Sequence, residues 1–96
     1  MIYEWSAAKA VANLKKHSIS FEDAATVFLD PLAMTYPDPD HSAEERREIT
    51  IGHTMKQQLV FVSHCERPDG IRIICARLAT SAERKEYEEG IEKDAG

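Results

Sequence analysis

The chain has 96 residues, of which 43% are hydrophobic, and a formal net charge of −5. This length suits one compact domain over residues 1–96 with a single modest core. No apolar run reaches the roughly 18 residues that a membrane-spanning helix needs, and the N-terminus lacks the basic-then-apolar order of a signal peptide, so we expect a cytoplasmic protein.

The charge is unevenly distributed along the chain. Residues 49–82 carry four basic and two acidic side chains, whereas residues 38–48 and 83–96 each have three more acidic than basic residues. Phosphate binding depends on lysine and arginine, so an evenly spread negative charge would argue against nucleic acid as a partner. Because the acidic residues are concentrated in two segments, a local basic surface is compatible with this sequence.

The first third of the chain predicts a short strand over Ile2–Trp5 and a helix over Ala7–His17. The apolar residues of this helix follow the spacing of one buried stripe: Ala7, Ala10, Val11 and Leu14. The opposite side carries only basic and polar residues: Lys9, Asn13, Lys16 and His17. Such a stripe is most often a solvated surface. A titratable imidazole beside two lysines also suits a functional site, so both interpretations stay open.

A second helix is predicted from Ser20 to Asp30, where Pro31 stops it. Its buried stripe is Phe21, Ala24, Ala25 and Phe28, and we expect Phe28 to anchor the core. Leu32–Tyr36 predicts a brief strand, and the proline- and acid-rich residues 37–45 predict an irregular loop.

From Arg46 onward the hydrophobic period is close to two, which predicts an antiparallel meander of three strands: Arg46–His53, Gln58–Glu66 and Gly70–Leu78. The registers suggested by the turns collect one apolar face for the helices to cover: Ile49, Ile51, Val60, Val62, Ile71, Ile73 and Cys75. On the other face they align Arg46, Cys65 and Arg72. Arg77 has the parity of the apolar face unless the strand contains a bulge.

The chain ends in a predicted helix over Ser81–Glu89, with a capping box at its start and Gly90 as its stop. The same strand registers place Cys65 opposite Arg72 and Cys75 opposite Val62. The two thiols are then about 10 Å apart at 3.3 Å per residue, too far for a disulfide.

Four segments carry a specific pattern that covers nearly the whole chain: Trp5-Ser6-x-x-Lys9-x-x-x-Asn13-x-x-Lys16-His17, Phe21-x-x-Ala24-x-x-Val27-Phe28-x-Asp30, Glu45-Arg46, and Arg72-Ile-Ile-Cys-Ala-Arg77-x-Ala-Thr80-x-x-Glu83-Arg84-x-x-Tyr87-Glu88. This pattern resembles the BrnT family of bacterial toxins. The resemblance implies an α+β, RelE-like fold with two N-terminal helices on an antiparallel meander and a C-terminal helix.

The resemblance also implies a function: a ribonuclease toxin of a type II toxin-antitoxin system that inhibits translation and growth. The implied partner is a BrnA-like antitoxin with a ribbon-helix-helix DNA-binding part, and operator DNA would be contacted only through it. The alternative is an inactive family member that serves as an antitoxin-binding module or as a co-regulator of operator binding.

RNA cleavage by attack of the 2′-hydroxyl needs a base, an acid and cations, but no cofactor. His17 suits proton transfer because its ordinary pKa lies near 6.5, and Glu48 or Glu45 is a weaker base. The candidate catalytic residues are His17, Arg72, Arg77 and Glu48, and the candidate substrate-binding residues are Lys9, Lys16 and Arg46. No metal site is expected, because the remaining histidines lack metal-ligand spacing: His41, His53 and His64.

Overall fold

The computed structural model describes residues 2–39 and 46–95, with side chains up to residue 91. Its elements are, in chain order, β1 (Ile2–Glu4), α1 (Ala7–His17), α2 (Phe21–Ala25), a 3₁₀ turn (Thr26–Leu29), β2 (Met34–Pro37), β3 (Arg47–His53), β4 (Leu59–Arg67), β5 (Gly70–Leu78) and α3 (Ser81–Ala95). The predicted α+β class is confirmed. Part of the predicted loop, including Glu45, lies outside the described residues. Within those residues, no helix is both long and apolar enough to cross a membrane.

The strands form one five-stranded sheet in the order β1-β5-β4-β3-β2. β2 to β5 are antiparallel, as the meander predicts, but β1 adds a parallel strand to the edge of β5. Gly70 is required at this edge, because a Cβ there would collide with the carbonyl oxygen of Ile2. The sheet is therefore mixed rather than purely antiparallel.

The buried face of α1 differs from the predicted one. Val11 and Leu14 are 56% and 51% exposed, whereas Asn13 is buried. On the edge of β5 that faces away from β4, no described strand continues past the residues paired with β1, Gly70–Arg72. Asn13 takes the place of such a strand by accepting from the backbone N–H of Ala76 (3.0 Å) and donating to its carbonyl (2.9 Å). Bonding the free edge of β5 thus turns Asn13 inward. Of the predicted apolar stripe, Ala10 still packs on the core, while Ala7, Val11 and Leu14 are exposed.

The first core cluster lies between α2 and one face of the sheet. Phe21 and Val27 are fully buried against residues of β4 and β5, namely Val60, Val62, Ile73 and Ala76. Phe28 is only half-buried, and its ring stacks on Tyr3 at a centroid distance of 5.5 Å. The predicted anchor is therefore a flanking residue, and Phe21 occupies the central position.

The second core cluster lies on the opposite face of the sheet, under α3, and contains Ile49, Ile51, Leu59 and Tyr87. The sequence placed Ile49 and Ile51 on the same face as Val60, which is wrong. The turn between β3 and β4 is one residue longer than predicted, since Gln58 belongs to it and His53 pairs with Leu59. A shift of one residue exchanges the two faces of a strand.

Helix α3 continues past its predicted stop. Gly90 lies inside the helix, and the following residue, Ile91, packs on the second core cluster. The Tyr87 hydroxyl donates to Asp30 at 2.8 Å, and burial together with this carboxylate raises the pKa of Tyr87 to about 12. These contacts explain why the helix is held beyond the glycine.

His64 is a buried polar residue within the first layer of side chains beneath α2. Its Nε2 lies 2.7 Å from the Thr50 hydroxyl, while Nδ1 has no hydrogen-bond partner among the described residues. Burial lowers the pKa of His64 to about 4, so the ring is neutral in the folded chain at pH 7.

We expect this histidine to make the fold acid-sensitive. In the unfolded chain this histidine has an ordinary pKa near 6.5, so as the pH falls the unfolded chain binds the proton before the folded chain does. The free energy of unfolding is therefore unaffected above about pH 6.5 and falls by up to about 3 kcal/mol as the pH approaches 4. Urea unfolding of the parent and of His64→Gln between pH 7 and 5, where most carboxylates stay ionised, measures this slope. A parent as acid-sensitive as His64→Gln would contradict the assignment.

Candidate nucleic-acid interface

A β-bulge in β5 decides where Arg77 points. Ser63 pairs with Cys75, but the next residue, His64, pairs with Ile73, so Ile74 is the extra residue. The bulge reverses the parity of the strand beyond it and brings Arg77 to the same face as Arg72. Cys75 accordingly lies opposite Ser63 rather than Val62, and both cysteines are free thiols.

The face of the sheet under α3 carries four arginines, which we call the arginine face: Arg47, Arg67, Arg72 and Arg77. Two of them share one carboxylate: Arg72 donates to Glu4 at 3.3 Å, and Arg67 lies 3.9 Å from it. These pairs are partly exposed, and such pairs contribute little to stability. The arginine face is therefore a basic surface in a chain that is acidic overall.

Arg47, not Arg46, stands beside Cys65 and Arg72. Arg46 precedes β3 and is exposed. The predicted row was wrong by one residue for the same reason as the core face of β3, which is the longer turn that follows it.

A cleft of about 570 Å³ opens in the arginine face next to the first turn of α3. Its lining combines aromatic rings with charged side chains: Tyr36, Asp38, Arg47, Phe61, Arg77 and Glu83. The guanidinium carbon of Arg77 lies 3.9 Å from the centre of the Phe61 ring. Aromatic rings and arginines together are typical of surfaces that bind single-stranded nucleic acid.

Arg77 is held in place by Glu83. Two nearly parallel hydrogen bonds join Nη1 to Oε1 (2.8 Å) and Nη2 to Oε2 (2.9 Å). Glu83 Oε1 also accepts from the backbone of Thr80, as the predicted capping box requires. Hydrogen bonding to Glu83 raises the pKa of Arg77, and the bonds from Arg77 lower the pKa of Glu83 against the effect of burial.

The predicted residues of α1 lie at the edge of the sheet. Lys9 and Lys16 are exposed, and His17 is half-buried. The contact of Asn13 with Ala76 places the middle of α1 beside the C-terminal half of β5.

Glu48 lies on the opposite face from the arginines. It pairs with His64 and lines a separate cleft with Phe28 and Thr35. The predicted catalytic role of Glu48 therefore gains no support from its position relative to the arginines. Among the residues that the structure describes, no group of three or more His, Cys, Asp or Glu side chains is arranged to hold a metal ion.

Sequence reasoning missed several residues of this surface: Tyr36, Arg47, Phe61 and Arg67. Phe61 and Arg67 share the strand parity of Cys65, which was assigned to the right face, so the period-two pattern of β4 contained the signal for both. Arg47 and Tyr36 depend on the length of the turn before β4, which the sequence did not reveal.

Comparison with known proteins places the chain in a family. The family described as "Ribonuclease toxin, BrnT, of type II toxin-antitoxin system" matches residues 5–83. The crystal structure of the Brucella abortus ribonuclease toxin BrnT superposes with a TM-score of 0.65 at 19% sequence identity, covering 84% of this chain and 100% of that one. A search of curated proteins returned no significant match. The chain belongs to the BrnT family of ribonuclease toxins of type II toxin-antitoxin systems.

Proposed function

We propose that this chain, on a RelE-like fold, is a metal-independent endoribonuclease that inhibits translation and growth in the cytoplasm. Membership of the toxin family supports the class of activity. The observation that carries the proposal is the arginine face, in which two of the four arginines, Arg47 and Arg77, line an aromatic cleft. Arginine binds phosphate through a planar fork, which suits the backbone of RNA.

In the proposed reaction the 2′-hydroxyl of one nucleotide attacks the adjacent phosphorus, and the 5′-oxygen of the next nucleotide leaves. Two protons must move, one from the 2′-hydroxyl and one to the departing 5′-oxygen. His17 is proposed to carry out one of these transfers, because it is a half-buried imidazole next to the exposed Lys16, and water the other. Arg72 and Arg47 are proposed to stabilise the negative charge that builds up on the phosphate oxygens. Lys9, Lys16 and Arg46 are exposed and would bind the flanking RNA backbone.

The partner that we propose is a BrnA-like antitoxin with a ribbon-helix-helix domain, through which the complex reaches operator DNA. A basic active surface attracts acidic side chains of an inhibitor, and covering it would block RNA entry. Covering the arginine face and the exposed lysines of α1 would neutralise the toxin without any change in its fold.

The proposal predicts growth arrest when the chain is produced alone and rescue when a ribbon-helix-helix antitoxin is produced with it. Purified chain should cleave single-stranded RNA in the presence of a metal chelator. Arg84→Ala is a matched control for Arg72→Ala, since Arg84 is an exposed arginine of α3 outside the arginine face. Intact RNA and normal growth, with antitoxin binding retained, would instead identify an inactive binding module.

A further inference from the structure

The end of the Arg77 guanidinium, formed by Nη1 and Nη2, is already occupied. Its fork donates to both carboxylate oxygens of Glu83, at 2.8 and 2.9 Å, and Nη1 also donates to the carbonyl of Leu78 at 3.2 Å. A phosphate that approached Arg77 end-on would need the same fork. It would therefore have to displace a carboxylate that caps α3 at the same time through Thr80.

The flat faces of the guanidinium, unlike its Nη1–Nη2 end, are not used for hydrogen bonding. The guanidinium carbon, Cζ, lies over the Phe61 ring, 3.9 Å from its centroid. The side chain is nevertheless 31% exposed and lines the open cleft. Glu83 bonds two nitrogens of the guanidinium and Phe61 packs against its central carbon, so the group is held in place while part of its surface is open to the cleft.

We propose that Arg77 binds a nucleobase of single-stranded RNA by stacking on the guanidinium face opposite Phe61, rather than holding a phosphate in its Nη1–Nη2 fork. This inference rests on the proposed ribonuclease function and specifies what one of its arginines recognises. Guanidinium planes stack on unpaired bases, and a plane that is already fixed loses little conformational freedom on binding.

The position of Arg72 is consistent with this division of roles. Arg72 pairs with Cys65 and Arg77 pairs with Phe61, four residues apart along β4. At 3.3 Å per residue this is about 13 Å, so Arg72 reaches a different part of the strand of RNA from the base at Arg77. Arg72 donates from Nη1 to the partly exposed Glu4 at 3.3 Å, a pair that phosphate can replace.

The test measures binding of a short single-stranded RNA whose riboses are 2′-O-methylated and therefore cannot attack. Each position in turn is made abasic, and the parent chain is compared with Arg77→Lys, which keeps the charge but has no plane. Loss of one base should weaken binding to the parent about 5- to 100-fold. Arg77→Lys should bind the intact RNA as weakly as the parent binds that abasic RNA, and should be indifferent to loss of the base.

Arg84→Lys is the control variant, and it should match the parent with every RNA. Thermal unfolding establishes that Arg77→Lys is folded. When 2-aminopurine replaces the base whose removal weakens binding, its fluorescence should be quenched by the parent and not by Arg77→Lys. A parent indifferent to base removal at every position, or an Arg77→Lys that binds as tightly as the parent, would overturn the stacking role while leaving the ribonuclease proposal intact. A parent that neither binds nor cleaves any RNA would overturn both.

Discussion

His17→Ala is expected to slow RNA cleavage by about 10²- to 10⁴-fold, the usual contribution of a positioned proton-transfer group. Arg72→Ala is expected to slow it by about 10²- to 10³-fold, through loss of a charge that stabilises the transition state. Rates of cleavage of one RNA under single-turnover conditions give both values. Each variant should also fail to arrest growth.

Both substitutions should leave the fold intact. Arg72 loses only a partly exposed ion pair with Glu4, and His17 forms no side-chain hydrogen bond with any residue in the described part of the chain. Lys15→Ala is the control on α1, because Lys15 is exposed and outside the proposed site. Parental cleavage rates in both folded variants would refute this site and direct attention to Arg77.

Phe21→Ala is expected to lower the free energy of unfolding by about 3 to 5 kcal/mol, which is a large part of the stability of a domain of this size. Phe21 has no exposed surface and lies at the centre of the first core cluster, where its ring also meets the edge of Trp5 at 5.9 Å. A cavity at this point cannot fill with solvent. Urea unfolding of the variant gives the loss directly.

Phe28→Ala provides the comparison for Phe21→Ala. Phe28 is half-buried and packs on Tyr3 and His64 at the margin of the same cluster. Its truncation should therefore cost less than that of Phe21. An equal or greater loss at Phe28 would show that the core is centred where the sequence alone predicted it.

The elements could be predicted because their signals are local. Ser6 and Ser20 accept hydrogen bonds from the first turns of α1 and α2, and Thr80 with Glu83 does the same for α3. Capping depends on residues three apart, and the alternation of a strand depends on neighbours two apart, so both are visible in the sequence. The helix starts, the three meander strands and the α+β class follow from such signals.

The site residues divide in the same way. Arg72 was placed correctly opposite Cys65, because the short turn between β4 and β5 sets that register by itself. The face on which Arg77 lies could not be predicted, because it depends on the bulge at Ile74, and no residue type in this strand indicates a bulge. Glu48 was predicted to belong to the arginine site but lies on the other face of the sheet, because the turn between β3 and β4 is one residue longer than predicted.

The sequence by itself determined which segments become helices and strands and which arginines lie on β5. Only the tertiary structure decided which side chains of each strand lie on which face of the sheet. It also decided that Asn13 bonds to Ala76 in place of a strand, and that Phe61 and Glu83 hold the Arg77 guanidinium. The physical reason is the period of two in a β-strand. A single extra residue in a turn or a bulge costs little locally, yet it reverses the direction of every side chain beyond it.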